Sequence, residues 1–391
     1  MKLSTTALLA IASVTARCQP QTGISADVSH PWPMDHANAA RTGQSKFPGA
    51  LLGQVTWVTR IGGKASSLAC DRAGKTYVGV TFNENVWSNE LYASALNRDG
   101  TVAWRVKVRP YDWGAGQSVF SGPALTIKGS VYMNSGFGEL LKFTQSGDLV
   151  QTISGNSLAA NDTTPAPLPN LDVVHFQVTQ LKRVRADGSV VWSSGATSQT
   201  DPAVSHFGDV ALGGVRSTEP HGSRDVTFFN PDGSLKWSFN STFGTRTQVC
   251  FGPDRTLFAN VAGTTAYNPD GTVKWRVGVG GFCVALDGRG RALVPQGRTI
   301  TALNKDTGAT VWTAVLPFPG SIVGGVSIDS GNRIYVTSTD GFVACLDSDG
   351  GLVWNTKVCD VFTSQPAIGT DTCVMAAGKN GFFEYNVYRI D

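Results

Sequence analysis

Apolar runs of four to six residues alternate along the chain with short clusters of Asp, Gly, Asn and Ser, the pattern of strands joined by tight turns. Within that pattern one phrase recurs: an acceptor residue, a turn centred on Asp-Gly, and a strand that ends in Trp four residues after the glycine. Full copies run Asn97-Arg-Asp-Gly-Thr-Val-Ala-Trp104, Arg185-Ala-Asp-Gly-Ser-Val-Val-Trp192, Asn230-Pro-Asp-Gly-Ser-Leu-Lys-Trp237, Asn268-Pro-Asp-Gly-Thr-Val-Lys-Trp275, Asn304-Lys-Asp-Thr-Gly-Ala-Thr-Val-Trp312 and Asp347-Ser-Asp-Gly-Gly-Leu-Val-Trp354. Two weaker copies complete the series. Ser146-Gly147 is followed by Gln151 where Trp is expected, and Gly53 is followed by Trp57 without the preceding turn.

The marker positions 57, 104, 151, 192, 237, 275, 312 and 354 are spaced by 47, 47, 41, 45, 38, 37 and 42 residues, room for four strands in each interval. In the interval ending at Trp354 the strands read 323–328, 333–338, 341–346 and 351–354. A four-stranded meander cannot bury both faces alone, and radial stacking of copies is the solution that leaves only short edges. The expectation is an all-β, eight-bladed β-propeller of four-stranded antiparallel blades, closed by the N-terminal strand 51–57 pairing with the C-terminal strands. Pro-Ala pairs at Gly122-Pro-Ala124, Thr164-Pro-Ala166, Asp201-Pro-Ala203 and Gln365-Pro-Ala367 suit the innermost strands, because proline lacks a ladder N–H and tolerates a strand start or edge.

Residues 1–16 read as a signal peptide, with Lys2 as the positive region, 7–14 as a short apolar stretch and Val14-Thr15-Ala16 as the cleavage site. Residues 17–50 form an N-terminal extension and 51–391 the propeller. The expected location is secreted or periplasmic. Arg17 stands where a lipoprotein signal wants a small residue, so simple secretion is favoured over lipidation of Cys18. With 32 Lys+Arg against 29 Asp+Glu and only 16% charged residues, nucleic acid is excluded as a partner. The hydrophobic content of 41% excludes disorder. No transmembrane segment is predicted, and a monomer is expected. The seven cysteines, from Cys18 to Cys373, show no C-x-x-C or metal spacing and read mostly as buried strand residues. Asn161 and Asn240 head glycosylation sequons that matter only in a eukaryotic host.

The repeat resembles the PQQ-like propeller repeat of quinoprotein dehydrogenases and BamB-like proteins. Ala302-Leu-Asn-Lys-Asp-Thr-Gly-Ala-Thr-Val-Trp312 is similar to the family's tryptophan-docking motif, with Asn304 replacing the usual Asp. Trp32-Pro-Met-Asp-His-Ala-Asn-Ala-Ala-Arg41-Thr-Gly43-Gln-Ser45 resembles the stretch that often precedes the first blade. The resemblance implies a structural role for Trp57, Trp104, Trp192, Trp237, Trp275, Trp312 and Trp354, packed between neighbouring blades. Dehydrogenases of this superfamily bind PQQ (pyrroloquinoline quinone) with Ca²⁺, use an acidic base and often carry a disulfide between adjacent cysteines. No two cysteines are adjacent here and no Glu, Asn and Asp set matches that site, so loss of the quinone is the expectation.

Other chemistries find less support. The chain has no G-x-S-x-G, Walker loop or H-E-x-x-H. The Asp-Gly phrases are read as turns rather than Ca²⁺ loops. His30, His36, His175, His206 and His221 lie at no ligand spacing, so no metal and no catalytic residue is assigned. Connections from second to third strand and from blade to blade should open on one face, opposite the Asp-Gly hairpins. Three long ones, at 82–90, 107–120 and 216–225, fall there. They carry the candidate ligand- or partner-binding residues Trp87, Tyr111, Trp113, Arg216, Glu219, His221 and Arg224, aromatics and Arg being typical anchors. The reading is an exported, non-catalytic scaffold binding a protein or other ligand through this long-loop face. The alternatives are a PQQ-dependent oxidoreductase-like protein and a carbohydrate-binding propeller with a glycan partner.

Overall fold

The computed structural model describes residues 29–85, 88–109, 121–135, 138–153, 163–177, 180–196, 200–214, 226–239 and 247–391. These form eight antiparallel sheets. Seven take four consecutive strands each. Blade 1 runs from Lys64–Cys70 to Val102–Arg109, blade 2 from Ala124–Leu125 to Leu149–Ile153, blade 3 from Ala166–Pro167 to Val190–Gly195 and blade 4 from Ala203–Val204 to Leu235–Phe239. Blade 5 runs from Cys250–Phe251 to Val273–Val277, blade 6 from Ala285–Leu286 to Thr310–Val315 and blade 7 from Ser327–Ile328 to Leu352–Lys357. Blade 8 joins the chain ends: Ala367–Ile368, Val374–Asn380 and Glu384–Ile390 are completed by Val55–Arg60, which pairs antiparallel with the last strand from Val55 opposite Ile390 to Arg60 opposite Asn386.

The repeat phrase builds the seams between blades. At Asp99, Asp187, Asp232 and Asp270 the turn carboxylate accepts the N–H of the residue two positions on, at 3.0 Å from Thr101 onto Asp99 and from Thr272 onto Asp270. The glycine then takes positive φ, +86° at Gly100 and +90° at Gly271. The preceding blade's Trp lies flat against it. A Cβ at Gly100 would stand 2.8 Å from Trp57, and one at Gly271 3.0 Å from Trp237, so a side chain there would displace the indole. The same contact recurs from Trp104 to Gly147, Trp192 to Gly233, Trp275 to Gly308, Trp312 to Gly350 and Trp354 to Gly53. Indole N–H groups donate to turn carbonyls, from Trp57 to Arg98, Trp104 to Gln145 and Trp192 to Pro231, each at 3.0 Å. Gln151 takes the Trp position between blades 2 and 3, and its amide donates to Asp187 O at 2.7 Å. These indoles lie at the seams between neighbouring blades. Apolar side chains fill the seams behind them, as where Phe176 and Leu181 of blade 3 meet Val210 and Leu212 of blade 4.

Two boundaries differ from the sequence reading. The closing strand begins at Val55 rather than residue 51, because Gly53, at φ +71°, is the turn glycine beneath Trp354, and 51–54 belong to that turn. The innermost strand of blade 7 is only Ser327–Ile328 rather than 323–328, because the chain turns at Gly324, at φ +72°.

Residues 29–50 run across the hairpin end of the ring axis. An innermost strand presents unpaired N–H groups to the axis, and buried backbone donors demand partners. The segment's carbonyls supply them: Trp32 to Cys70, Pro33 to Leu125, Ala39 to Val204, Ala40 to Phe251, Thr42 to Leu286 and Gly43 to Ile328, at 2.6–2.9 Å. In blade 3 the matching residue is Pro167, which has no N–H to satisfy.

The seam makes two substitutions informative. Trp237→Ala should lower stability by about 3 kcal/mol, the usual cost of removing a large packed aromatic. Gln151→Trp should raise it by up to about 1 kcal/mol by completing the ring of indoles. Denaturant midpoints of the two variants, measured beside the parent, check both signs.

Candidate functional site

All seven candidate binding residues, Trp87, Tyr111, Trp113, Arg216, Glu219, His221 and Arg224, lie outside the described residues, as do Asn161, Asn240, Cys18 and the signal segment. The described part of the face opposite the Asp-Gly hairpins is informative. The second-to-third strand connection of blade 8 ends in Phe382 and Phe383, exposed by 86% and 75%, and Phe282, before the innermost strand of blade 6, is 49% exposed. Three aromatics thus stand in solvent on the face that the long connections share.

At the axis the N-terminal segment brings together charged side chains that sequence reasoning left unassigned. Arg41 is fully buried. Its guanidinium donates to Asp35 O and Thr164 O, both at 2.7 Å, and to Pro202 O at 3.1 Å, and it pairs with the Asp201 carboxylate at 3.3 Å. One side chain thereby ties the axis segment to blades 3 and 4. Asp201 also accepts the Thr164 N–H at 2.7 Å, and its own backbone N–H and C=O are bridged by the Gln248 amide, so three blades meet at this one residue. Asp35 binds His36 Nδ1 at 2.9 Å. His36, Ala37 and Arg41 all have positive φ, at 54°, 70° and 60°, a strained conformation for side chains of this size.

Burial would push Asp35 up, but the His36 and Arg41 cations outweigh it and hold the carboxyl down at about 2. Burial would lower His36, and the Asp35 carboxylate overcomes it, raising the imidazole to about 10. Asp201 goes the other way: burial, with the nearby Asp35 charge, pushes it up to about 7 against the pull of Arg41. His36 is therefore an imidazolium at neutral pH. His30 instead donates to Thr126 O and accepts the Arg72 N–H, roles in packing alone. His175 is buried between strands, and burial lowers it to about 3. The His206 ring lies tilted beside that of Phe207, centroids 3.9 Å apart.

The axis residues do not fit a calcium-bound quinone. The two carboxylates at the axis are committed to the chain's own cations, Asp35 to His36 and Asp201 to Arg41. Among the described residues no three of His, Cys, Asp and Glu converge as metal ligands. The six described cysteines are all free.

On the hairpin face the axis segment floors a cavity of about 630 Å³. Pro33, Pro167, Pro169, Phe251 and Leu286 make its wall mainly apolar, with Lys46 and His206 at its polar edge. No periodic signal marks this cavity along the chain, since about half of its lining comes from residues 30–46, a stretch without strand pattern.

Two overlapping stretches, residues 222–316 and 296–389, match a PQQ-repeat family model described as outer membrane protein assembly factor BamB. The part of the ring from residue 222 to 389 thus carries the PQQ-like repeat. This PQQ-like propeller is similar in structure to quinohemoprotein alcohol dehydrogenase from Comamonas testosteroni, at 11% identity and a TM-score of 0.68, over 92% of this chain and 80% of that one. It is also similar to BamB from Moraxella catarrhalis, at 12% identity and a TM-score of 0.59, over 86% and 99% of the two chains. The C-terminal WD40 domain of Sif2 matches at 9% identity and a TM-score of 0.60, over 88% and 99%. No curated protein matches the PQQ-like propeller in sequence. Neighbours this distant and this varied carry the fold alone, and function has to be argued from the site.

The axis network sets the pH response of stability. His36 is raised in the folded state, so its contribution is complete below about pH 6.5 and is lost as pH rises toward 10. Between pH 6.5 and 8.5 the melting midpoint should fall, and His36→Gln should flatten that decline in thermal scans. Arg41→Met should cost about 3–5 kcal/mol by leaving Asp201 buried without its cation, measurable by equilibrium unfolding.

Proposed function

We propose that this PQQ-like propeller is an exported, non-catalytic scaffold that binds a protein through its long-loop face. The observation that carries the reading is the pair Phe382 and Phe383, held in solvent at the tip of a connection on that face. Exposed aromatics clustered on a rigid support are typical of a surface built to be covered. Trp87, Tyr111, Trp113, Arg216, Glu219, His221 and Arg224 belong to connections of the same face and extend the surface. The axis supports the same reading, because its buried carboxylates serve the chain's own cations rather than a bound quinone and calcium.

The test compares three forms of the mature protein: the parent, Phe382→Ser with Phe383→Ser, and Trp87→Ala with Trp113→Ala. Immobilised on beads, each is challenged with the extracellular or periplasmic fraction of the host. Phe382→Ser with Phe383→Ser should melt within about 0.5 kcal/mol of the parent, since it removes only exposed side chains, and both double variants should lose partner capture. Retention of every interaction by both variants would refute the scaffold reading. A saturable rise in melting temperature with PQQ and Ca²⁺ would instead revive the oxidoreductase reading, since a ligand selective for the folded state raises the midpoint.

A further inference from the structure

The cavity on the hairpin face leaves donors free but holds no free acid. Its one acidic side chain, Asp287, is used by its own turn: Oδ1 accepts the N–H groups of Arg289 and Arg291, both at 2.9 Å, and Oδ2 pairs with the Arg291 guanidinium at 2.6 Å. Lys305, also in the lining, is held by Asp306 at 2.9 Å. His30, Asn38 and Ser45 likewise spend their polar atoms within the protein. Lys46 is different. It is exposed at the cavity edge, and no described acid pairs with it. His206, half-buried in the lining, has no described hydrogen-bond partner. In the floor, the carbonyls of half-buried Ala39 and Ala40 accept from Val204 at 2.6 Å and Phe251 at 2.9 Å, while their own N–H groups donate to no described acceptor.

This imbalance selects the kind of ligand. The wall of Pro33, Pro167, Pro169, Phe251 and Leu286 is apolar, and a volume of about 630 Å³ lies within the range of roughly 300–1,000 Å³ that holds small molecules. A plain hydrocarbon would leave the free donors unmatched, and a cation would meet Lys46 with like charge. An extended peptide needs donors and acceptors in alternation along a free edge. Six carbonyls of the floor segment, from Trp32 to Gly43, are already spent on blade N–H groups, so no such edge is offered.

We propose that the cavity binds a small apolar monocarboxylate, alkyl or aryl, with its hydrocarbon against the proline and phenylalanine wall and its carboxylate on Lys46. One unmatched cation calls for one negative charge, and a carboxylate is the acceptor that the free donors lack. Because Lys46 stands in solvent, salt screens its attraction, and it serves selectivity for the acid while burial of the hydrocarbon supplies most of the affinity. The site lies on the face opposite the long connections and is separate from the protein-binding surface proposed above.

The experiment is isothermal titration calorimetry of the mature protein with hexanoate, octanoate and decanoate, each below its micelle concentration, and with decanol and naphthoate. The expected result is one site per chain, with affinity rising about fourfold per added methylene until the cavity is filled. Lys46→Glu, at an exposed position, should weaken decanoate roughly threefold or more and leave decanol unchanged. Pro169→Asp, on the wall, should weaken both. The tighter of decanoate and naphthoate identifies the hydrocarbon that the wall takes, and either supports the proposal. Phe382→Ser with Phe383→Ser should bind as the parent does, which keeps this result apart from that of partner capture. Absence of saturable binding, equal loss of acid and alcohol in Lys46→Glu, or an alkanoate affinity that ignores chain length overturns the proposal. So does a parent that sediments as a dimer and that Lys46→Glu converts to a monomer, since the face would then receive a second copy of the chain.

Discussion

Every seam of the ring depends on a flat side chain lying against a glycine that has turned to positive φ. The contact needs both halves: the turn must be tight enough to present bare backbone, and the strand two positions beyond the blade core must present an indole at the right height. Each blade contributes one half to each neighbour, so stability propagates as a nearest-neighbour interaction, as in other repeat proteins. A linear stack would leave one indole and one turn unused at its ends. Here the last indole, Trp354, finds its glycine at Gly53, ahead of the first complete blade, and the ring has no end to cap. Gln151 shows how far the rule bends: its amide lies against Gly188 but donates to Asp187 O, one residue beyond the carbonyl position that the indoles use, and Lys142 Nζ takes that position at Ala186 O.

Closing a ring of sheets creates a second demand at its centre. Eight innermost strands point a polar edge at the axis, where neither water nor another strand of the ring can serve all of them. The segment from Trp32 to Gly43 meets that demand by visiting blade after blade with its carbonyls. A chain that must bend round so small a circle adopts backbone conformations it would otherwise avoid, and His36, Ala37 and Arg41 hold positive φ for this reason. The Arg41 guanidinium, with contacts to the segment itself and to blades 3 and 4, pins the most strained stretch. The ionisable groups at the axis are thus a consequence of sealing the channel, and their shifted protonation follows from their burial.

The ring was legible in the sequence because its determinants are local. An Asp-Gly turn and a Trp four residues on lie within one short window, and eight copies reinforce each other. Ring closure could be read as well, since a lone strand at one end and three at the other have one solution. The axis was not legible. Arg41 and Asp201 are separated by 160 positions, from 201 minus 41, and no periodicity links them. Their approach depends on where a non-repeating segment crosses a finished ring. His36 was read as one more isolated histidine, and the signal that could have singled it out was its place beside Asp35 in the stretch before the first blade. The long connections were legible as loops, but their candidate residues fall outside the described part of the chain, so their binding role stands as a proposal.

Function in such a protein has to reside in whatever the seams do not use. The Asp-Gly turns spend their carboxylates on their own N–H groups, and the tryptophans are held between blades, so the most repetitive residues are the least available for a ligand. What remains is the non-repeating part: the axis segment, the cavity it floors, and the connections of the opposite face. Structural neighbours as different as an alcohol dehydrogenase, BamB and a WD40 domain share the ring at 9–12% identity, as expected if the seam alone constrains it. A change of function in this architecture then requires no change in the seams. It requires only a different segment across the axis or different side chains on the loops, and in this chain the axis segment holds the buried Arg41–Asp201 pair while exposed Phe382 and Phe383 stand on a connection.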